Sequence, residues 1–321
     1  MKGKYLISIS TNRIQYDIEL ERSVTILKGE SGSGKTTLLK ILAQLQNPDI
    51  KSIKTSVSPQ RQMRVLTNSD NWDWILREYR NQIIFIDEDV QYAFNQRFLS
   101  LVRSSGSYIV IISRRKPLEG LNFSISSIME LKRTHKEGQR TYNRMFPLYH
   151  GKLSAVSEVP IICEDTKGGK EIIEKAFCRS VIGAGGNTKV YQTILESAFN
   201  GDLDCIVDGA AFGAYIDKLI TLRDNMNLGI YAPESMKYLI LSLPRFLPYL
   251  ANELTQTWDY CDSKEYSSWE SFFTNLLNDK LREIYIGKGY SYSKDVVPPF
   301  VFEKENLEII KKLIEQSRIE G

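Results

Sequence analysis

Val24-Thr25-Ile26-Leu27-Lys28-Gly29-Glu30-Ser31-Gly32-Ser33-Gly34-Lys35-Thr36-Thr37 decides the reading of this chain. An apolar run of strand length leads into three glycines within six positions. Leu38, Leu39, Ile41, Leu42 and Leu45 follow at helical spacing. Strand, glycine loop and helix, with Lys-Thr at the helix start, form a phosphate-binding loop. Glycines let backbone amides turn inward around phosphate oxygens, and the positive end of the helix points at the anion. The predicted nucleotide contacts are Gly29, Glu30, Ser31, Gly32, Ser33, Gly34, Lys35, Thr36 and Thr37. Lys35 is expected to reach the β and γ phosphates, and the Thr36 hydroxyl to ligate Mg²⁺. The expected ligands are therefore ATP and Mg²⁺.

Working outward, Lys4–Thr11 and Ile14–Leu20 read as strands ahead of the loop. Asn47-Pro48 is expected to end the helix. Residues 51–68 are polar and β-rich, and Asp70 is a candidate cap for a short helix through Tyr79. Ile83–Ile86 is a continuous apolar run of the kind buried on both faces of a parallel sheet. Asp87 follows it and is expected to lie next to the phosphate loop as a second Mg²⁺ ligand. Glu88, one residue on, is placed to polarise an attacking water. Val90–Ser104 reads as a helix stopped by Gly106, and Tyr108–Ile112 as another buried strand. Arg114 and Arg115 at its end have two readings, a sensor of the γ phosphate or ordinary surface cations. Ile128–Arg133 and Thr141–Phe146 flank Glu137-Gly138 as a β-hairpin rich in Lys and Arg, read as a solvated face or a nucleic-acid contact.

This layout resembles the ATP-binding-cassette type and related phosphate-loop ATPases over about residues 1–150. It departs from them in one respect: no serine-glycine signature loop or helical subdomain lies between Asn47 and Gln82. A small-molecule kinase would use the same loop. The Asp87-Glu88 pair favours a water-activating ATPase instead.

The alternation of strand and helix restarts after residues 146–157, the expected boundary of a second α/β domain, 157–232, with a helical C-terminal region, 233–321. Glu164 follows the strand Val159–Cys163, and Asp208 follows Cys205–Val207. Acids at the carboxyl ends of neighbouring parallel strands are placed to share a ligand. The order of motifs resembles the Toprim domain of topoisomerases, primases and overcoming-lysogenization-defect nucleases. That resemblance implies catalytic, Mg²⁺-binding roles for Glu164 and Asp208. The family's second Asp falls on Ala210, a departure that removes one carboxylate, and Glu234 is a candidate substitute. An ATPase followed by such a domain resembles proteins of anti-phage defence. It implies either nucleic-acid processing or a nucleotide-gated sensor whose Toprim-like domain docks a partner protein or a second copy.

The fold class is thus α/β: a mainly parallel phosphate-loop domain, a smaller Toprim-like domain and a helical end. The 321 residues, 42% hydrophobic and 25% charged, fit a two-domain globular protein. No apolar run has the length of a membrane span, so the expected location is the cytoplasm. Cys163, Cys178, Cys205 and Cys261 form no CxxC pair, and a zinc site is not expected. Residues 1–152 hold 24 Lys and Arg against 14 Asp and Glu, and the remainder 18 against 25. The basic half either docks on the acidic half or faces a polyanion.

Overall fold

Ile83–Asp87 (β6) and Tyr108–Ile112 (β7) are apolar at nearly every position, and in the computed structural model both are buried on both faces of one sheet. The structure describes residues 1–29, 32–45, 52–87, 89–90, 96–113, 121–197, 201–285 and 297–320. Glu30, Ser31, Glu88, Arg114 and Arg115, and the expected helix stop at Asn47-Pro48, lie outside these residues.

The chain divides into two compact units. The first comprises Met1–Leu121, Ser127–Leu148 and Gln256–Ser268; the second comprises Asn122–Ser126, Tyr149–Thr255 and Trp269–Gly321. The predicted helical end is therefore shared: residues 256–268 belong with the first unit and the rest with the second. The Gly3 amide donates to the Trp258 carbonyl at 2.6 Å and the Ser263 amide to the Met1 carbonyl at 3.0 Å, which ties this late segment to the first strands.

The first unit is built on a nine-stranded sheet in the order β4-β1-β2-β9-β8-β3-β7-β6-β5. Its strands are β1 (Tyr5–Ser10), β2 (Ile14–Leu20), β3 (Val24–Lys28), β4 (Lys54–Ser58), β5 (Met63–Leu66), β6, β7, β8 (Ile128–Glu137) and β9 (Arg140–Pro147). β5, β6, β7, β3 and β8 run parallel, as expected for buried Ile- and Val-rich strands. The other side is mixed: β1 pairs antiparallel with β2 and β4, and β8 with β9, while β2 and β9 are parallel. The expected hairpin is β8–β9, with an irregularity between Arg133 and His135. Helices α1 (Lys35–Gln44), α2 (Trp72–Glu78) and α3 (Gln96–Ser105) complete the unit. α2 is capped by Asn71, whose side chain accepts from the Trp74 amide, and not by Asp70. The Asp70 carboxylate is taken instead by the amide and hydroxyl of Thr67.

The second unit carries a six-stranded sheet in the order β10-β15-β14-β13-β11-β12. β11 (Ile161–Cys163), β12 (Val181–Gly183), β13 (Leu203–Ile206) and β14 (Leu228–Tyr231) are parallel, with α4 (Gly168–Phe177), α5 (Asn187–Glu196) and α6 (Ile216–Leu222) as crossovers. β10 (His150–Lys152) and β15 (Arg318–Glu320) extend the β14 edge antiparallel. The chain steps outward from β11 to β12, then returns past β11 to β13 and continues to β14. The strand order therefore reverses between β11 and β13, the kind of crevice in which open α/β sheets bind ligands. α7 (Met236–Leu241), α8 (Leu247–Thr255), α9 (Trp269–Ile284) and α10 (Lys304–Glu315) follow. α7 packs on α9, and α10 on α4.

Candidate functional site

β3 delivers the chain to the phosphate loop, and α1 carries it away. Gly34 sits at φ 90° immediately before α1, a conformation that a Cβ would strain. Space is short there as well: a Cβ would lie 3.0 Å from the Tyr16 hydroxyl oxygen. At Gly29, with φ 146°, a Cβ would lie 3.3 Å from the Lys35 ammonium. Lys35 is only 5% exposed. Its Nζ donates to the Gly29 carbonyl and, at 2.8 Å, to the Ser33 hydroxyl. The lysine thus folds back on its own loop, with the Gly29 carbonyl and the Ser33 hydroxyl among its partners. Thr36 and Thr37 are exposed on the first turn of α1. Among the described residues, no side chain caps that helix, and its first turn carries no acid. Among the described residues, neither a cap nor a first-turn acid therefore neutralises the positive end of the helix.

Tyr16 on β2 is a part of this site that the sequence reading missed. Its hydroxyl donates to the Gly34 carbonyl at 2.9 Å. Burial pushes the phenol up to about 12, with a hydrogen bond to Thr37 acting the other way. A tyrosine on an alternating strand carries no local sign that its hydroxyl will reach a loop eighteen residues on.

Asp87 ends β6, half-buried, and its Oδ1 accepts from the Asp89 amide at 3.4 Å. It does not lie on the strand beside the phosphate-loop strand. β7 is inserted between β3 and β6, so the neighbour of β3 at this edge is Ser113, whose amide donates to the Leu27 carbonyl at 3.1 Å. β6 and β7 are equally apolar, so their hydrophobic pattern could not order them. Between α1 and β6 the described residues hold β4, β5 and the seven-residue α2.

In the second unit, Glu164 and Asp208 meet at the carboxyl edge of β11 and β13. The Asp208 amide donates to Glu164 Oε2 at 3.2 Å. Asp208 Oδ1 in turn accepts from the Ala210 amide at 3.1 Å. These acids line a pocket of about 280 Å³ together with Thr166, Lys167, Lys237 and Glu270. Loss of water raises the Asp208 carboxyl well above the usual carboxylate range. The charge of Glu270 adds to that rise, Lys237 opposes it, and Glu164 and Glu234 add further. Lys237, 7% exposed, forms an ion pair of 2.6 Å with Glu270. Neither residue was read from the sequence as part of a site. The available signal was a lysine inside the apolar helix Met236–Leu241.

Glu234 lines a different pocket, with Tyr149 and Tyr238, and its carbonyl accepts from the Ala210 amide at 2.9 Å. Asp165 caps the start of α4 through the amides of Thr166, Lys167 and Gly169. Among the described residues, no group of three or more His, Cys, Asp or Glu side chains is placed to hold a metal ion. Cys163 and Cys205 are buried thiols, both pushed up by burial, Cys163 to about 12.

Among the described residues, no helix is long and apolar enough to cross a membrane. Phosphate loop, α1, β6 and β7 all fall within residues 11–133, the stretch that matches the family model for the ABC transporter, and this similarity supports ATP binding and hydrolysis by the first unit.

Proposed function

We propose that this chain is an ATP-driven switch: the first unit binds and hydrolyses ATP, and its nucleotide state governs a Toprim-like second unit. The observation that carries this reading is the phosphate loop, with a buried lysine folded onto it and a helix start that, among the described residues, has no side-chain cap and no acid in its first turn. The triphosphate tail is the ligand of Lys35. A bond from an ammonium to a phosphate oxygen is charge-assisted and stronger than one between neutral groups. Loop amides hold the β phosphate, and Tyr16 fixes the loop's exit by holding Gly34.

The residues present also fit Mg²⁺: Thr36 is exposed at the helix start and Asp87 ends a strand of the same parallel sheet. When bound, the ion neutralises charge on the β and γ phosphates. Glu88 is assigned the orienting of the attacking water. Phosphate release from ATP with no added acceptor tests this reading. Release that requires an acceptor hydroxyl would make the chain a kinase instead.

For the second unit, two readings differ in chemistry. In the first, it docks a partner protein or a second copy in the cytoplasm under control of the nucleotide. Ala210 in place of an acid and the Lys237–Glu270 pair both favour it. In the second, it processes nucleic acid in anti-phage defence, with Glu164 and Asp208 as the reactive edge. The meeting of these two acids at one sheet edge favours that reading, as does the excess of Lys and Arg in the first half of the chain. Nicking of plasmid DNA with Mg²⁺ or Mn²⁺, lost in both Glu164→Gln and Asp208→Asn, would establish the second reading and exclude the first.

A further inference from the structure

We propose that the Lys237 ammonium is the resident cation of the Glu164–Asp208 edge, and that it closes this edge to divalent metal. The inference concerns the second unit alone and stands apart from nucleotide binding.

A lysine that is 7% exposed keeps its charge only if the protein supplies anions in place of water. Here Glu270 supplies one, at 2.6 Å from Nζ. Glu164 and Asp208 line the same pocket as this pair. The pocket thus holds Glu164 and Asp208 together with the Lys237–Glu270 pair, and the ammonium is close enough to Asp208 to act on its charge.

The position of that charge is set by the fold rather than by a mobile side chain. α7 leaves the carboxyl end of β14, and Ser235 caps it, its side chain accepting from the Tyr238 amide at 3.1 Å. Tyr238 packs edge-on against Phe273 of α9, with ring centroids 5.2 Å apart. The two helices that carry Lys237 and Glu270 are thus locked together by the residues that follow each of them at short spacing.

A divalent ion at Glu164 and Asp208 would have to share them with this ammonium. It would meet like-charge repulsion from an ammonium that is itself buried, where screening by solvent is reduced. It would also find no carboxylate at residue 210, which is alanine, and Glu270 is already paired with Lys237. Ala210 offers the cluster only its amide, which already donates to Asp208. The ammonium thus supplies the charge balance a metal would otherwise provide. Replacing Lys237 by methionine keeps the stem's bulk and removes the charge, which lifts the repulsion an ion would meet at Glu164 and Asp208.

The test is Mn²⁺ binding to nucleotide-free full-length protein, followed by calorimetry and by the electron paramagnetic resonance of free Mn²⁺. The wild type should show no Mn²⁺ binding that Asp208→Asn or Glu164→Gln removes. Lys237→Met should bind Mn²⁺ at least about tenfold more tightly than the wild type, because the repelling ammonium is gone. The double variant Lys237→Met/Asp208→Asn should lose the gain. Wild-type Mn²⁺ binding that Asp208→Asn abolishes would overturn the proposal. So would a folded Lys237→Met protein with no new site. Should Lys237→Met not fold, the comparison of wild type with Asp208→Asn and Glu164→Gln decides alone.

Discussion

The Tyr16 hydroxyl on β2 holds the Gly34 carbonyl at 2.9 Å, so a strand outside the phosphate-binding motif fixes the point where the loop becomes helix α1. The phenol is fully buried and its pKa is raised to about 12, so it is a neutral donor at any ordinary pH. Tyr16→Phe removes that bond and little volume. The Gly34 carbonyl retains the Leu38 amide, at 2.9 Å, so it is not orphaned. We expect a loss of about 1 kcal/mol, which is a roughly fivefold weaker ATP affinity. Calorimetric titration of ATP measures it; unchanged affinity would mean the loop is held without Tyr16.

Binding and turnover should separate at the acidic strand end. Glu88→Gln is expected to leave ATP affinity within a few-fold and to slow phosphate release by at least about 100-fold. Asp87→Asn should weaken the dependence on Mg²⁺ as well as turnover. Equal loss of ATP binding in both variants would contradict the separate roles.

Asp204 and Gly229 face each other in register on β13 and β14. A Cβ on Gly229 would lie within 1.9 Å of Asp204 Oδ1. The carboxylate cannot swing away freely, because its Oδ2 accepts from the Ser157 amide at 2.7 Å. Gly229→Ala should destabilise the second unit by about 1–3 kcal/mol, as overpacking in a filled core does. Urea unfolding followed by circular dichroism reads this, and a wild-type midpoint would refute the clash.

Asp204 also gives a pH signature. It is 3% exposed, and burial raises its carboxyl above the ordinary value of 3.8, against opposing pulls from the Ser157 amide, Arg318 and Arg179. A carboxyl whose folded pKa is raised favours folding in its protonated form. That contribution is complete below pH 3.8 and is lost as pH rises through the folded pKa. Asp204→Asn cannot ionise. Its unfolding midpoint should exceed that of the wild type at pH 7, and the advantage should vanish near pH 3.5. A constant difference across that range would rule out the titration.

The phosphate loop was readable in the chain because its parts are local: strand, glycines, Lys35-Thr36 and an apolar helix follow one another without a gap. The strands that flank it were readable for the same reason. Their order was not. β6 and β7 carry the same buried pattern, and only the folded sheet places β7 and Ser113 beside β3. Long-range partners were equally hidden. Tyr16 lies on a strand whose alternation explains it as core. Lys237 and Glu270 are thirty-three residues apart on α7 and α9, joined by an ion pair that no spacing rule encodes. Glu164 and Asp208 could be foreseen as neighbours because parallel strands bring their carboxyl ends to one edge. The ammonium beside them could not.

The most direct test of the central claim is calorimetric titration of the purified protein with ATP in the presence of Mg²⁺, beside Lys35→Ala. The account predicts saturable heat for the wild type and none for the variant, with both proteins folded by circular dichroism. No heat for the wild type with any common nucleoside triphosphate, or equal heat for both proteins, would contradict it.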